Sequence, residues 1–600
     1  MRIAALYIPS GYLPHIFGDN HQELTLNFGG RHLYSIINKK IEEVRPNPNY
    51  LEDIFNDGIS LFSCIVGSNG GGKTTVLKLI TSDWQCLYVL EYADGTYKLT
   101  DNPEDIHRIY YTPYLNSSAF SSIRKNGKDL SKLSLLKDDN HGDSGLLDDF
   151  LEAHSSESIK RWIKFNHFYR QIKTPNVELP TFEKLTLSLN HFDLTIHTPD
   201  RFHQTPYQFR GIIKSLLNKI KDEAGLEEVK SLEGYDPKND KVDHIFFPIR
   251  FKYDLYELAL AKLVSIFERT GNRYLNEGIL PEDFADKIAT LDVRESIQLF
   301  FENAGVRSGE AKYNLSEHTT LLDLIDYIVS ILGQDRVTEN WRKIIISETE
   351  ALNIIELYDK FNESFNNEWF EFDVKPMFGF SPAITVSSGE QSFLNLFSTL
   401  YFHVNNITTG IDIDQYNFHS LDGIKEDILL LLDEGDNAFH PQWKKAYIKY
   451  LREILPLIFK NFNIQVIITS HDPLTLSDLP RNNVVYFERV NGLTNVNNSN
   501  SKKTFGANIS DLLKDSFFIQ DGQIGDFVAT QINRIIKDIN DGQISSDRRT
   551  EIERLITSID EPVLKYKLAE MLSEAVGDRE FELQLIDEEI SRLERRKERI

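Results

Sequence analysis

Gly67-Ser68-Asn69-Gly70-Gly71-Gly72-Lys73-Thr74-Thr75 sets a glycine, a lysine and a threonine at the spacing G-x-x-x-x-G-K-T. Glycines at these positions let the backbone wrap with its N–H groups pointing inward. A polyphosphate then meets converging donors and the positive end of a helix. Lys73 can reach the β- and γ-phosphates, and the Thr74 hydroxyl can ligate Mg²⁺. Three more groups carry chemistry. Ser387-Ser388-Gly389-Glu390-Gln391 opens a helical pattern, offering a hydroxyl, open N–H groups and a helix dipole to an anion. An ordinary serine cap accounts for the same residues. Asp427-Ile428-Leu429-Leu430-Leu431-Leu432-Asp433-Glu434 delivers two carboxylates at the end of an apolar run. Asp433 suits the Mg²⁺ shell, and Glu434 suits the orientation or deprotonation of an attacking water. Ile464 to Ser470 repeats the apolar run and ends on His471, placed for a γ-phosphate contact.

These groups need strands and helices to hold them. Leu61 to Val66 reads as a strand entering the glycine loop, and Val76, Leu77, Leu79 and Ile80 as a helix leaving it. Further strands are expected over 1–8, 22–28, 84–92 and 108–111, with Tyr110 to Asn116 leaving the last of them without an assigned role. The apolar runs before Asp433 and His471 predict strands buried on both faces, with ligands at their C-terminal edge. From about 118 to 370 amphipathic helical patterns take over, as in Gly211 to Asp222, Tyr253 to Arg269 and Thr320 to Leu332. Breaks at Asp138 to Gly145 and Tyr235-Asp236-Pro237 interrupt them. Beyond 510 the pattern stays helical: Ile524 to Ile539, Thr550 to Ile559, a third helix starting at Pro562, and a last one with Leu583, Ile586, Ile590, Leu593 and Ile600. That stripe suits packing on the protein's own head or on a partner helix, its flanks carrying Arg592, Arg595, Arg596 and Lys597.

At 600 residues the chain is too long for one core. Hydrophobic residues make up 41% and charged ones 26%, as in soluble globular proteins, and no run approaches a membrane span. Residues 1–8 lack the features of a signal peptide, and Cys64 and Cys86 form neither a metal spacing nor a disulfide framework. The expectation is a cytosolic, cytoplasmic protein with no membrane partner. A net charge of −25 opposes nucleic-acid binding over the whole surface, leaving only local basic patches. Arg124-Lys125-Asn126-Gly127-Lys128 reads as solvated loop. No zinc-hook C-x-x-C, long coiled coil, toprim pattern or HNH cluster is found.

The order of these parts resembles the head of ABC-type ATPases, over residues 1–115 and 376–490. The likeness is nearest to the soluble branch of chromosome-maintenance, recombination-repair and overcoming-lysogeny-defect proteins. The resemblance implies an α/β fold: a P-loop NTPase head with a large, mainly helical insertion and a helical C-terminal region. It implies a Walker A at Gly67 to Thr75, with Gly67, Ser68, Asn69, Gly70, Gly71, Gly72, Lys73, Thr74 and Thr75 around ATP. It implies a signature at Ser388, Gly389, Glu390 and Gln391, a Walker B at Asp433 with catalytic Glu434, a D-loop at Gly435 to Phe439, and a switch His471. Thr74 and Asp433 would hold Mg²⁺. Glu390 departs from the commoner L-S-G-G-Q, a form similar to S-x-G-E-Q of the soluble branch.

More narrowly, Asp433 to Pro441, Thr469 to Pro473 with Leu476 to Pro480, and Thr504 to Ile509 with Asp515 to Phe518 resemble the PtuA ATPases of Septu and retron-associated antiphage defence. The ABC-type likeness implies a head-to-head homodimer or higher oligomer, and the narrower one a separate nuclease partner such as an HNH protein, with an ATPase acting directly on DNA as the alternative. The domains expected are 1–117 (first head lobe), 118–375 (insertion), 376–495 (second head lobe) and 496–600 (dimer or partner region).

Overall fold

An aliphatic run such as Ile428 to Leu432 has two faces to bury, and in the computed structural model every one of these residues is buried. The structure describes residues 1–19, 21–52, 54–55, 58–81, 86–115, 127–139, 147–172, 177–190, 205–233, 242–269, 277–308, 310–333, 336, 338, 340–365, 376–409, 425–437, 439–497, 502–515, 525–542 and 544–597. Asn116, Arg124 to Asn126, Tyr235 to Pro237, Ala438, Ser516 to Phe518, Ile524 and Ile600 lie outside them, as do 84–85 of the expected strand and 140–145 of the expected break. Two compact units result, Met1–Phe518 and Ile519–Ile600.

The first unit is built on a seven-stranded sheet. Its order is Leu493–Asn497, Val484–Val490, Ile59–Gly67, Asn463–Ser470, Asp427–Asp433, Ile106–Tyr111, Gly127–Asp129. Every neighbouring pair is parallel except the hairpin at the first edge. The two faces separate by alternation. Phe62, Cys64, Val66, Leu430, Leu432, Val466 and Ile468 enter the core shared with the helical part. Leu61, Ile65, Leu429, Leu431 and Ile467 face the helix Lys73–Thr81 and a four-stranded antiparallel sheet containing Arg2–Ile8 and Leu87–Glu91. Burial of each such leucine contributes roughly 2 kcal/mol. A buried amide ties the two sheets together: Gln465 accepts from the Ile3 N–H and donates to the Ile3 carbonyl, both at 2.7 Å.

The part expected to be helical is mainly so, with Tyr207–Ser231, Val242–Arg269 and Thr320–Ser330 covering the periodic stretches. It also holds two three-stranded sheets that the periodic reading does not anticipate. In one, Lys184–Leu189 pairs with both Lys343–Ser347 and Phe378–Pro382. Leu185, Leu187 and Leu189 alternate as a half-buried strand should, but the partners lie about 160 to 190 residues away in sequence. The last of these strands leads into the helix Ser388–Thr409. The helix Leu147–Gln171 packs on that same helix: Phe168 stacks on Tyr401 at 4.4 Å, and the Trp162 indole donates to Asn395 at 2.8 Å.

Within this part His318 is fully buried, its ring nitrogens 2.6 Å from the Ser364 hydroxyl and 3.1 Å from the Tyr313 hydroxyl. Burial pushes its pKa down to about 3. The unfolded chain therefore binds a proton below about pH 6.5 that the native state refuses until about pH 3. The contribution to stability is intact above pH 6.5 and is lost as pH falls through that window. Denaturant unfolding across pH 3–7 should give a shallower acid loss for His318→Gln than for the parent, and equal slopes would contradict this.

The described residues of the second unit form four helices, Asp526–Asp541, Ser546–Thr557, Pro562–Val576 and Glu580–Lys597. Ile532, Ile535, Ile539, Ile552, Ile556, Leu568, Leu572 and Leu585 form its core. Pro562 opens the third helix behind a Glu561 cap, as its fixed φ favours. In the last helix it is Leu585 that is buried, while Leu583, Ile586, Ile590 and Leu593 are exposed. Among the described residues no helix is long and apolar enough to cross a membrane.

Candidate active site

The Ile59–Gly67 strand ends where its neighbour leaves no room for a side chain: a Cβ on Gly67 would stand 2.3 Å from the Phe487 carbonyl oxygen. Gly70 and Gly72 adopt φ of +73° and +91°, which turns the chain back into the helix Lys73–Thr81. The resulting loop is a cradle with a buried lysine. Lys73 Nζ donates to the Gly67 carbonyl at 3.0 Å and to the Ser68 carbonyl at 3.3 Å. Burial lowers the Lys73 pKa, and the carboxylates of Glu434 and Asp433 oppose that fall. The Ser68 hydroxyl is buried with no partner among the described residues. An orphan hydroxyl and a buried cation in a glycine loop at the start of a helix fit a polyanion.

Asp433 stands at the end of its strand, in register with Thr469 on the next. Three hydroxyls converge on its carboxylate: Thr74 at 2.8 Å, Tyr110 at 2.9 Å and Thr469 at 2.6 Å. Thr74 Oγ1 and Asp433 Oδ2 form an oxygen-only donor pair that suits a hard divalent cation such as Mg²⁺. Glu434 follows in the left-handed region, φ +51°, held by its N–H on Thr469 Oγ1 at 2.9 Å. A non-glycine residue there costs about 1–3 kcal/mol and persists because the surroundings over-determine it. The turn directs the side chain to His471, whose Nε2 donates to Glu434 Oε1 at 2.9 Å. That hydrogen bond, helped by the charge of Lys73, keeps the Glu434 pKa below the ordinary glutamate range, against the effect of burial. The Tyr114 hydroxyl bonds the same carboxylate; burial and Glu434 push its pKa up to about 12.

Thus Lys73 and Thr74 of the glycine loop meet Asp433, Glu434 and His471, which lie more than 350 residues further along the chain. The Tyr110 to Asn116 stretch supplies two further groups, Tyr110 and Tyr114, and the Ile464 to Ser470 strand supplies Thr469. Asp436, just beyond Glu434, is buried and accepts from Thr475 at 3.0 Å and from Ser470. Burial raises its pKa, so this part of the turn is a buried polar latch.

Ser388, Gly389, Glu390 and Gln391 are not bonded into this cluster. No hydrogen bond or ion pair among the described residues joins them to the glycine loop, and Ser388 is exposed. They open the helix Ser388–Thr409 through a reciprocal cap: the Glu390 N–H donates to Ser387 Oγ at 3.3 Å, and the Ser387 N–H donates to Glu390 Oε2 at 2.7 Å. This gives Glu390 a physical role that a glycine could not fill. It also leaves the first-turn N–H groups of Ser388 and Gly389 directed out of the helix end. His440 and Pro441 likewise serve as cap and first residue of the helix Pro441–Ile458.

The hairpin at the sheet edge, which had no role in the sequence reading, braces the loop. Thr494 Oγ1 donates to the Gly71 carbonyl at 3.0 Å, next to the Phe487–Gly67 contact. Residues 62–477, more than half of the chain, match the family described as AAA domain, putative AbiEii toxin, Type IV TA system. No curated protein matches the chain.

Proposed function

The chain belongs to this family of AAA-domain P-loop ATPases, and on that premise we propose that it hydrolyses ATP in the ABC manner, at a site shared between two copies. The observation that carries this reading is the one just described. The loop, Asp433, Glu434 and His471 form half a site, while an exposed, capped helix start at Ser388 and Gly389 has no hydrogen bond or ion pair to it among the described residues. In this reading the exposed helix start serves the phosphate presented by the second copy.

In this reading Lys73 releases the Gly67 and Ser68 carbonyls and turns to the β- and γ-phosphates. Thr74 and Asp433 would hold Mg²⁺, which would offset phosphate charge. Glu434, kept ionised, accepts a hydrogen bond from the attacking water and takes up its proton as the water oxygen bonds the γ-phosphorus and ADP departs. His471 steadies Glu434 and reaches the γ-phosphate. Ser388 and Gly389 of the second copy close over that phosphate, so ATP binding joins the heads and hydrolysis releases them.

The finer role we assign is control of a separate effector nuclease, such as an HNH protein, in antiphage defence. The family's description, which names a toxin of a type IV toxin–antitoxin system, supports a defence setting, and the short motifs around Asp433 and His471 support the PtuA-like form. ATPase activity driven by DNA alone, with no effector protein needed, would favour the repair-type alternative.

Complementation tests the shared site. Lys73→Ala and Ser388→Arg should each be inactive alone, since one empties the loop and the other fills the γ-phosphate position with a cation. A mixed dimer carries one site with both lesions and one with neither, so mixing should restore part of the ATPase activity. Full activity in Ser388→Arg alone would contradict the reading.

A further inference from the structure

The bracing hairpin carries a cation to the rim of the glycine loop. Phe487 is in register with Gly67, so the strand Val484–Val490 runs on beside the loop for three more residues. Among them, Arg489 is exposed. Its Nη1 lies 2.9 Å from where a Cβ on Gly70 would stand, so the guanidinium rests on the loop's outer turn. Its Nε donates to the Gly492 carbonyl at 3.3 Å, which fixes the side chain across the hairpin turn. Among the described residues no carboxylate pairs with it, in a chain holding 91 acidic and 66 basic residues.

We infer that Arg489 is a second phosphate-binding cation, contacting the polyphosphate held by Gly67 to Thr74. This rests on the reading of that loop as the nucleotide site. Four features carry it: the contact with Gly70, the restraint through Gly492, the exposed guanidinium and the lack of an acidic partner. A guanidinium keeps its charge at any working pH and offers a planar fork matched to phosphate oxygens. With its stem restrained, it loses little conformational freedom on engaging the ligand. The sequence offered no signal for it, because Arg489 is 416 residues beyond Lys73 and only the sheet order brings them together.

The test uses the full chain and a fluorescent ATP analogue, with Arg489 changed to Lys, Ala and Glu. A charge-assisted phosphate contact is worth about 10- to 100-fold in affinity. The expected order of affinity is Arg, then Lys, then Ala, then Glu, with Ala weaker by at least about 10-fold and nucleotide-free melting temperatures unchanged. A purely structural Arg489 would group Lys with Ala and lower the nucleotide-free melting temperature. Wild-type affinity in Arg489→Ala and Arg489→Glu, beside loss of binding in Lys73→Ala, would overturn the role of Arg489 and leave the loop reading intact. Normal binding in Lys73→Ala as well would overturn both.

Discussion

Glu434→Gln is expected to bind ATP with near-parental affinity while turnover falls by about 10²–10⁴-fold, the range over which a positioned general base acts. The substitution keeps the side chain's volume and its reach to His471. It leaves untouched the backbone turn, whose N–H bonds Thr469 Oγ1 rather than anything on the side chain. Asp433, with its three hydroxyl partners, also keeps its environment. What disappears is the carboxylate that His471 and Lys73 hold ionised. The measurement is ATP affinity and steady-state phosphate release on the same preparation. Unchanged turnover would remove Glu434 from the chemistry and make His471 the next group to test.

Lys73→Ala should reduce ATP affinity by two orders of magnitude or more. Lys73 is a buried cation inside the cradle, and among the described residues its side chain bonds only the carbonyls of Gly67 and Ser68. Two charge-assisted contacts at about 1.5–3 kcal/mol each set the scale of the loss. Because the alanine also opens a void at the helix start, Lys73→Met serves as the control that keeps the volume and removes the charge. Equilibrium binding to both variants, each with a folded-state melting transition, decides the matter. Near-normal affinity in folded Lys73→Met would remove the polyphosphate reading of the loop.

How much of this was legible depended on whether the determinants are local in sequence. The glycine loop is local: strand, turn and helix lie within 23 residues, and each glycine answers a constraint on its own backbone. Asp433-Glu434 and His471 were legible because aliphatic runs before them require parallel strands, and parallel strands put their ends at one edge of the sheet. Tyr110, Tyr114 and Thr469 lie within or beside strand-like stretches, yet their roles follow from strand order and register, which no single run of residues encodes. The sheet built around Lys184–Leu189 was missed for the same reason, since its alternation is plain but its partners are distant. Glu390 is the opposite case. Motif likeness marks it only as a departure, whereas the Ser387 cap shows what the carboxylate does.

The exposed helix start at Ser388 bears on the central claim, that ATP joins two copies through this element. The direct measurement is the solution mass of Glu434→Gln without nucleotide, with ADP and with ATP, repeated after adding Ser388→Arg. The account predicts a doubling of mass with ATP only, abolished by Ser388→Arg while ATP still binds. A mass that does not change with ATP, or that doubles despite Ser388→Arg, would contradict it.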